Sequence, residues 1–105
     1  VLLNLLGGDH ESAAEIVHEF LADVPRQVEA LRAALAAGDA AQARMQAHTL
    51  KGASANVGAG ALRAVAYRAE KAAADGDLEL LGGLMPQIER QAARLQQTLE
   101  GGAAP

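Results

Sequence analysis

The sequence predicts an all-α fold, an antiparallel up-down four-helix bundle with an additional N-terminal helix. Three observations carry that expectation. Hydrophobic residues fill 50% of the 105 positions but aromatic residues only 2%, and the apolar set is mainly alanine and leucine, strong helix formers, with few strand formers. The apolar positions recur at helical spacing along most of the chain. Glycine-aspartate pairs then punctuate it, glycine suiting the left-handed residue that ends one helix and aspartate capping the next.

Taken in order, Gly7-Gly8 separates a short apolar lead from Asp9, a cap candidate with Glu11 in the first turn. Ala13, Ile16, Val17, Phe20, Leu21 and Val24 form the first stripe. Pro25 is expected to end or kink that helix, because it lacks an N–H and disfavours helical geometry in Val24. Val28, Leu31, Ala34 and Leu35 continue a second stripe to Gly38. After Gly38-Asp39 a third helix is expected from about Ala40 to Val57, broken by Gly58 and Gly60. A fourth covers Ala61 to Ala74, with Leu62, Val65, Ala69 and Ala73 inward. Gly76-Asp77 repeats the stop and start. The last helix carries Leu81, Leu84, Met85, Ile88, Ala92, Leu95 and Leu99, with a kink or restart expected at Gly82, Gly83 and Pro86. Short loops between such helices make neighbours antiparallel. Residues 1–100 read as one domain and the tail GGAAP, 101–105, as flexible.

Composition excludes several function classes. A net charge of −4 provides no basic face for a nucleic-acid backbone. Zero cysteines exclude disulfides, thiolate-bound zinc and thiol catalysis, and fit a reducing, cytoplasmic setting. No apolar run approaches the roughly 20 residues of a membrane-spanning helix. VLLNLLGG is too short for a signal peptide and lacks its basic leader, and without an initiator Met the expectation is a domain cut from a longer chain or a chain given without its start. Neither G-x-G-x-x-G nor a Walker sequence is present, so no nucleotide site is expected. His10 and His18 near Glu11, Glu15 and Glu19 do not form a HExxH arrangement and read as solvated surface, so no metal site is expected.

Chemistry concentrates in AHTLKGASANVG, residues 47–58. At about 100° per residue, Ala43, Ala47, Leu50, Ser54 and Val57 define the inward side of the third helix, and His48 lies roughly 150° away from its centre. Ala41, Arg44, Met45, Lys51, Gly52 and Ala55 share the outer face with it. That face lacks the bulk of an ordinary solvated helix surface. Gly52 costs about 1 kcal/mol relative to alanine in a helix interior, and close approach of another molecule is the physical reason that would offset it. An outward imidazole is nucleophilic near neutral pH, and Lys51 one turn on can neutralise an anion attached to it. Thr49 points elsewhere, and no hydrolase constellation is apparent.

These residues match A-H-x-L-K-G-x-S-x-x-x-G-x-x-x-L through Ala47, His48, Leu50, Lys51, Gly52, Ser54, Gly58 and Leu62. The pattern resembles the histidine-containing phosphotransfer (HPt) domains of multistep phosphorelays, and FLADVPRQVEALRAAL extends the likeness over most of the chain. The resemblance implies that His48 takes a phosphoryl group from the aspartyl-phosphate of a response-regulator receiver domain and passes it to another receiver. Lys51 would stabilise the phosphate and Gly52 would let the receiver dock, within a rim of Arg44, Met45, Ala55 and Tyr67. Magnesium would belong to the receiver, leaving this domain without a cofactor of its own. The parent chain would be a hybrid sensor histidine kinase, and the isolated domain a monomer without an ATP site. Many phosphorelay domains carry glutamine on the following helix where this chain has Glu70; chemotaxis-kinase phosphotransfer domains place a glutamate there to accept the imidazole Nδ1–H. Glu70 falls about 100° from its helix's core direction, so either that role or an ion pair with Lys51 or Arg63 stays open. So do two rival functions: a chemotaxis-type domain phosphorylated by a separate ATP-binding kinase domain, and a non-catalytic helical interaction module.

Overall fold

The computed structural model describes residues 10–57 and 59–100, with side chains described from His18 to Thr98 except Gly58. Four helices account for nearly all of them: α1 His10–Ala36, α2 Ala40–Asn56, α3 Gly60–Ala74 and α4 Leu78–Glu100. The lead before His10 and the tail after Glu100 lie outside the described residues. Consecutive helices pack against one another and α4 closes onto α1. With connections as short as residues 37–39 and 75–77, this is the up-down four-helix bundle that the spacing predicts.

Among the described side chains the inward stripes follow those read from periodicity, whereas Ala13, Ile16, Val17 and Leu99 of those stripes lie outside them. Leu31, Ala43, Ala47, Leu50, Ala66, Ala69, Leu81 and Ile88 are fully buried, and Phe20, Val24, Val28, Leu62, Val65, Leu84, Met85 and Ala92 join them. Alanines on α2 and α3 let those two backbones approach closely, which matters for the site they share. The stop-start punctuation also holds. Gly38 and Gly76 adopt positive φ of 68° and 72°, where L side chains are strained. Asp39 then accepts a hydrogen bond from the Gln42 N–H at 3.0 Å and Asp77 from that of Leu80 at 3.0 Å, satisfying donors left open at a helix start.

Two expectations are corrected in one alternative each: the helix end at Pro25 and the restart at Gly82, Gly83 and Pro86 do not occur. Pro25 does not end a helix: α1 runs through it as a single helix of 27 residues, so the additional N-terminal helix is the first half of α1. Likewise α4 does not restart at Gly82, Gly83 or Pro86, which all lie inside one helix of 23 residues. The physical reason at Pro25 is visible. Proline has no N–H to give the carbonyl four residues back, Leu21, and the Gln96 side-chain amide of α4 donates to that oxygen at 3.2 Å instead. Pro25 itself is exposed, so its ring displaces no core side chain.

Gln96→Leu is therefore expected to lower stability by about 1 kcal/mol, read as a melting temperature lower by roughly 4–8 °C. Adding Pro25→Ala should recover much of the loss, because alanine restores the missing backbone donor. A double variant melting no higher than Gln96→Leu would show that the Leu21 carbonyl is not what Gln96 serves.

Candidate functional site

The buried residues Ala43, Ala47, Leu50 and Ser54 fix the rotation of α2. Ser54 tucks its hydroxyl onto the Leu50 carbonyl at 2.7 Å and so enters the core without an unsatisfied donor. Thr49 likewise turns its hydroxyl onto the Met45 carbonyl at 3.0 Å. With that face inward, His48 stands outward with 65% of its side chain exposed.

Across from it, Tyr67, Glu70 and Lys71 follow one another at i, i+3 and i+4 on α3, the spacing that puts them on one face. Glu70 divides its two oxygens: Oε2 lies 2.9 Å from His48 Nδ1 and Oε1 lies 2.8 Å from Lys51 Nζ. Oε1 is buried with no donor in good hydrogen-bonding line, and takes its counter-charge from that ammonium. The pairing with Lys51 is the main influence holding the Glu70 carboxyl below its ordinary pKa; partial burial opposes it and the bond to His48 assists. The group is therefore a carboxylate at neutral pH, and a carboxylate can only accept. The proton of the His48–Glu70 bond must sit on Nδ1, which leaves the lone pair of the neutral ring on Nε2.

The sign of that shift fixes a pH dependence. A depressed native pKa means that Glu70 contributes stability above the ordinary carboxyl value, lost as pH falls through the lower native value. Glu70→Gln is expected to cost on the order of 1 kcal/mol at pH 7, and the gap should close as urea unfolding is repeated at pH values below 4.5, the ordinary reference. A gap that persists unchanged at the acid end would mean the carboxylate charge is not its source.

Lys51 is more confined than a solvated surface lysine, with 24% of its side chain exposed. Its ammonium also lies 5.5 Å from the centre of the Tyr67 ring, and Lys71 approaches the same ring at 6.0 Å. Arg44, Lys51, Tyr67, Glu70 and Lys71 line one open groove of about 240 Å³. The expected rim residues are all exposed: Met45 at 59%, Tyr67 at 49%, and Arg44, Gly52 and Ala55 on the outer face of α2. Arg44 and Tyr67 meet the histidine's partners in the groove, whereas Met45 and Gly52 lie toward the other side of His48 by helical rotation. A Cβ added at Gly52 would find nothing within 4 Å, so no contact inside the protein requires glycine there. Glu70's ion pair is with Lys51, and Arg63 takes no part in it. Lys71 is not singled out by the sequence motif; its signal is its place one turn after Tyr67.

The match to the Hpt domain family model runs over residues 15–98 and spans all four helices. The chain belongs to the Hpt domain family. As such it is a histidine phosphotransfer domain, and its all-helical bundle matches a solved member. The crystal structure of histidine-containing phosphotransfer protein B (HptB) from Pseudomonas aeruginosa PAO1 superposes with a TM-score of 0.90 at 31% identity, covering 96% of this chain and 88% of that one. No curated protein matches the sequence. None of the described helices of this Hpt domain is long and apolar enough to cross a membrane.

Proposed function

We propose that this Hpt domain is a phosphorelay carrier in which His48 accepts a phosphoryl group from the aspartyl-phosphate of a response-regulator receiver and donates it to another. The observation that carries the reading is the exposed His48 ring, whose Nδ1 is engaged by ionised Glu70 beside the Lys51 ammonium. Nε2 attacks phosphorus as the bond to the aspartyl oxygen breaks, and the electron pair of that bond returns to the aspartate. The ring keeps its Nδ1 proton and gains positive charge, which the Glu70 carboxylate faces; Lys51 meets the negative phosphoryl oxygens. Transfer of this kind depends on positioning and charge more than on covalent chemistry by the protein.

Glu70 thus acts as the orienting residue, and Arg44, Met45, Gly52, Ala55 and Tyr67 as the docking rim. The donor set here does not suit magnesium, which prefers several oxygen ligands: the single carboxylate has both oxygens committed to His48 and Lys51. The ion is the receiver's. The domain needs no ATP site, works in the cytoplasm as a monomeric module, and has a hybrid kinase as its parent. A second donor, a separate ATP-binding kinase domain of chemotaxis type, is favoured by one observation, the glutamate rather than glutamine on Nδ1.

The test is incubation with a phosphorylated receiver and Mg²⁺, in parallel with an ATP-charged kinase domain. Label that is acid-labile and base-stable, and that returns to a fresh receiver, is expected from the receiver arm. Label from the kinase arm alone would favour the second donor. No label from either would overturn the carrier reading.

A further inference from the structure

Lys51 is held on two sides, and only one of them has a role in the reading above. Glu70 Oε1 takes the ammonium at 2.8 Å. A lysine committed wholly to that carboxylate would sit on the Nδ1 side of the imidazole, away from the phosphoryl group that forms on Nε2. The Tyr67 ring supplies a second seat 5.5 Å from the same ammonium. Lys71 draws on the same ring at 6.0 Å, and both ammonium groups stand near the outer limit of a cation–π contact, so neither is held tightly there. Tyr67 is half-exposed and absent from the core, so packing does not explain its place.

We propose that Tyr67 is a positioning residue, whose ring holds the Lys51 ammonium close to Glu70 yet free to move to the phosphoryl group on His48. This rests on the carrier reading, since it assigns Lys51 a phosphoryl group to meet. Its effect is on the step at His48, separate from any contact that Tyr67 makes with a docked receiver.

The experiment therefore dispenses with the receiver and uses phosphoramidate as the donor. His48 Nε2 forms the new N–P bond, the P–N bond of the reagent breaks, and its amine departs as ammonia after protonation from solvent. The rate is followed by the ³¹P resonance of phosphohistidine in the wild type, Tyr67→Phe, Tyr67→Leu, Lys51→Met and the Tyr67→Leu/Lys51→Met pair. Tyr67→Phe keeps a ring face and should label at nearly the wild-type rate. Tyr67→Leu should label about three- to fivefold more slowly, the size of an exposed cation–π contact. In the Lys51→Met background, Tyr67→Leu should have no further effect, because the residue it positions is gone. The chain has one tyrosine and no tryptophan, so emission excited in the tyrosine band reports this ring and should change in intensity in Lys51→Met.

Equal slowing by Tyr67→Leu with and without Lys51, or no slowing at all, would overturn the proposal while leaving His48 as the carrier. Failure of the wild type to label would instead remove the carrier reading on which it rests.

Discussion

Replacement of His48 by glutamine is expected to abolish phosphoryl acceptance from receiver and kinase donors while changing stability by no more than about 0.5 kcal/mol. Glutamine offers an amide that can still donate to Glu70, and the position is exposed, so neither burial nor the Lys51–Glu70 pair requires the imidazole. What disappears is the nucleophile. Amide oxygen and nitrogen are far weaker nucleophiles than an imidazole, and no other described histidine lies on this face; His18 is on α1. The check is base-stable label on wild type and variant side by side, with helical circular dichroism as the control for folding. Undiminished label on the variant would place the acceptor elsewhere and dissolve the site as a unit.

The second large effect is expected at Gly52. Leucine there should strengthen the isolated domain by roughly 0.5–1 kcal/mol, the usual gain on removing glycine from an exposed helix interior. Nothing within 4 Å resists the new side chain. Transfer from a phosphorylated receiver should nevertheless fall by about a hundredfold, since misplacement by an ångström near in-line geometry costs that much. Labelling by phosphoramidate, which needs no macromolecular approach, should stay near the wild-type rate. The opposite signs on stability and transfer are the diagnostic. A Gly52→Leu domain that accepts phosphate from a receiver at full speed would show that the glycine is not kept for access.

Much of this was legible in the sequence because helical periodicity is a local property. Ala43, Ala47, Leu50 and Ser54 repeat at the spacing that defines an inward face, and His48 falls opposite them without knowledge of any other helix. The Gly38-Asp39 and Gly76-Asp77 junctions are legible for the same reason. Pro25 is not. Its local rule ends a helix, and the compensating donor, Gln96, comes from the opposite end of the chain. The division of Glu70 between His48 and Lys51 lies between these cases: its angular position indicates that it can reach α2, but not that both contacts form together. Lys71 at the Tyr67 ring depends on side-chain distances that no motif spacing encodes.

The Gln96 amide on the Leu21 carbonyl also bears on how the molecule comes apart. The middle of α1 is a complete hydrogen-bonded helix only while the far part of α4 is docked, so those two stretches should open together as one cooperative unit. Amide exchange on the turns around Pro25 should report detachment of α4 rather than fraying of α1. A truncation that removes Gln96 would then loosen α1 at its midpoint, while the α2–α3 pair carrying His48 and Glu70 keeps its own packing. The candidate site and the seam closed by Gln96 are thus placed on different helix pairs.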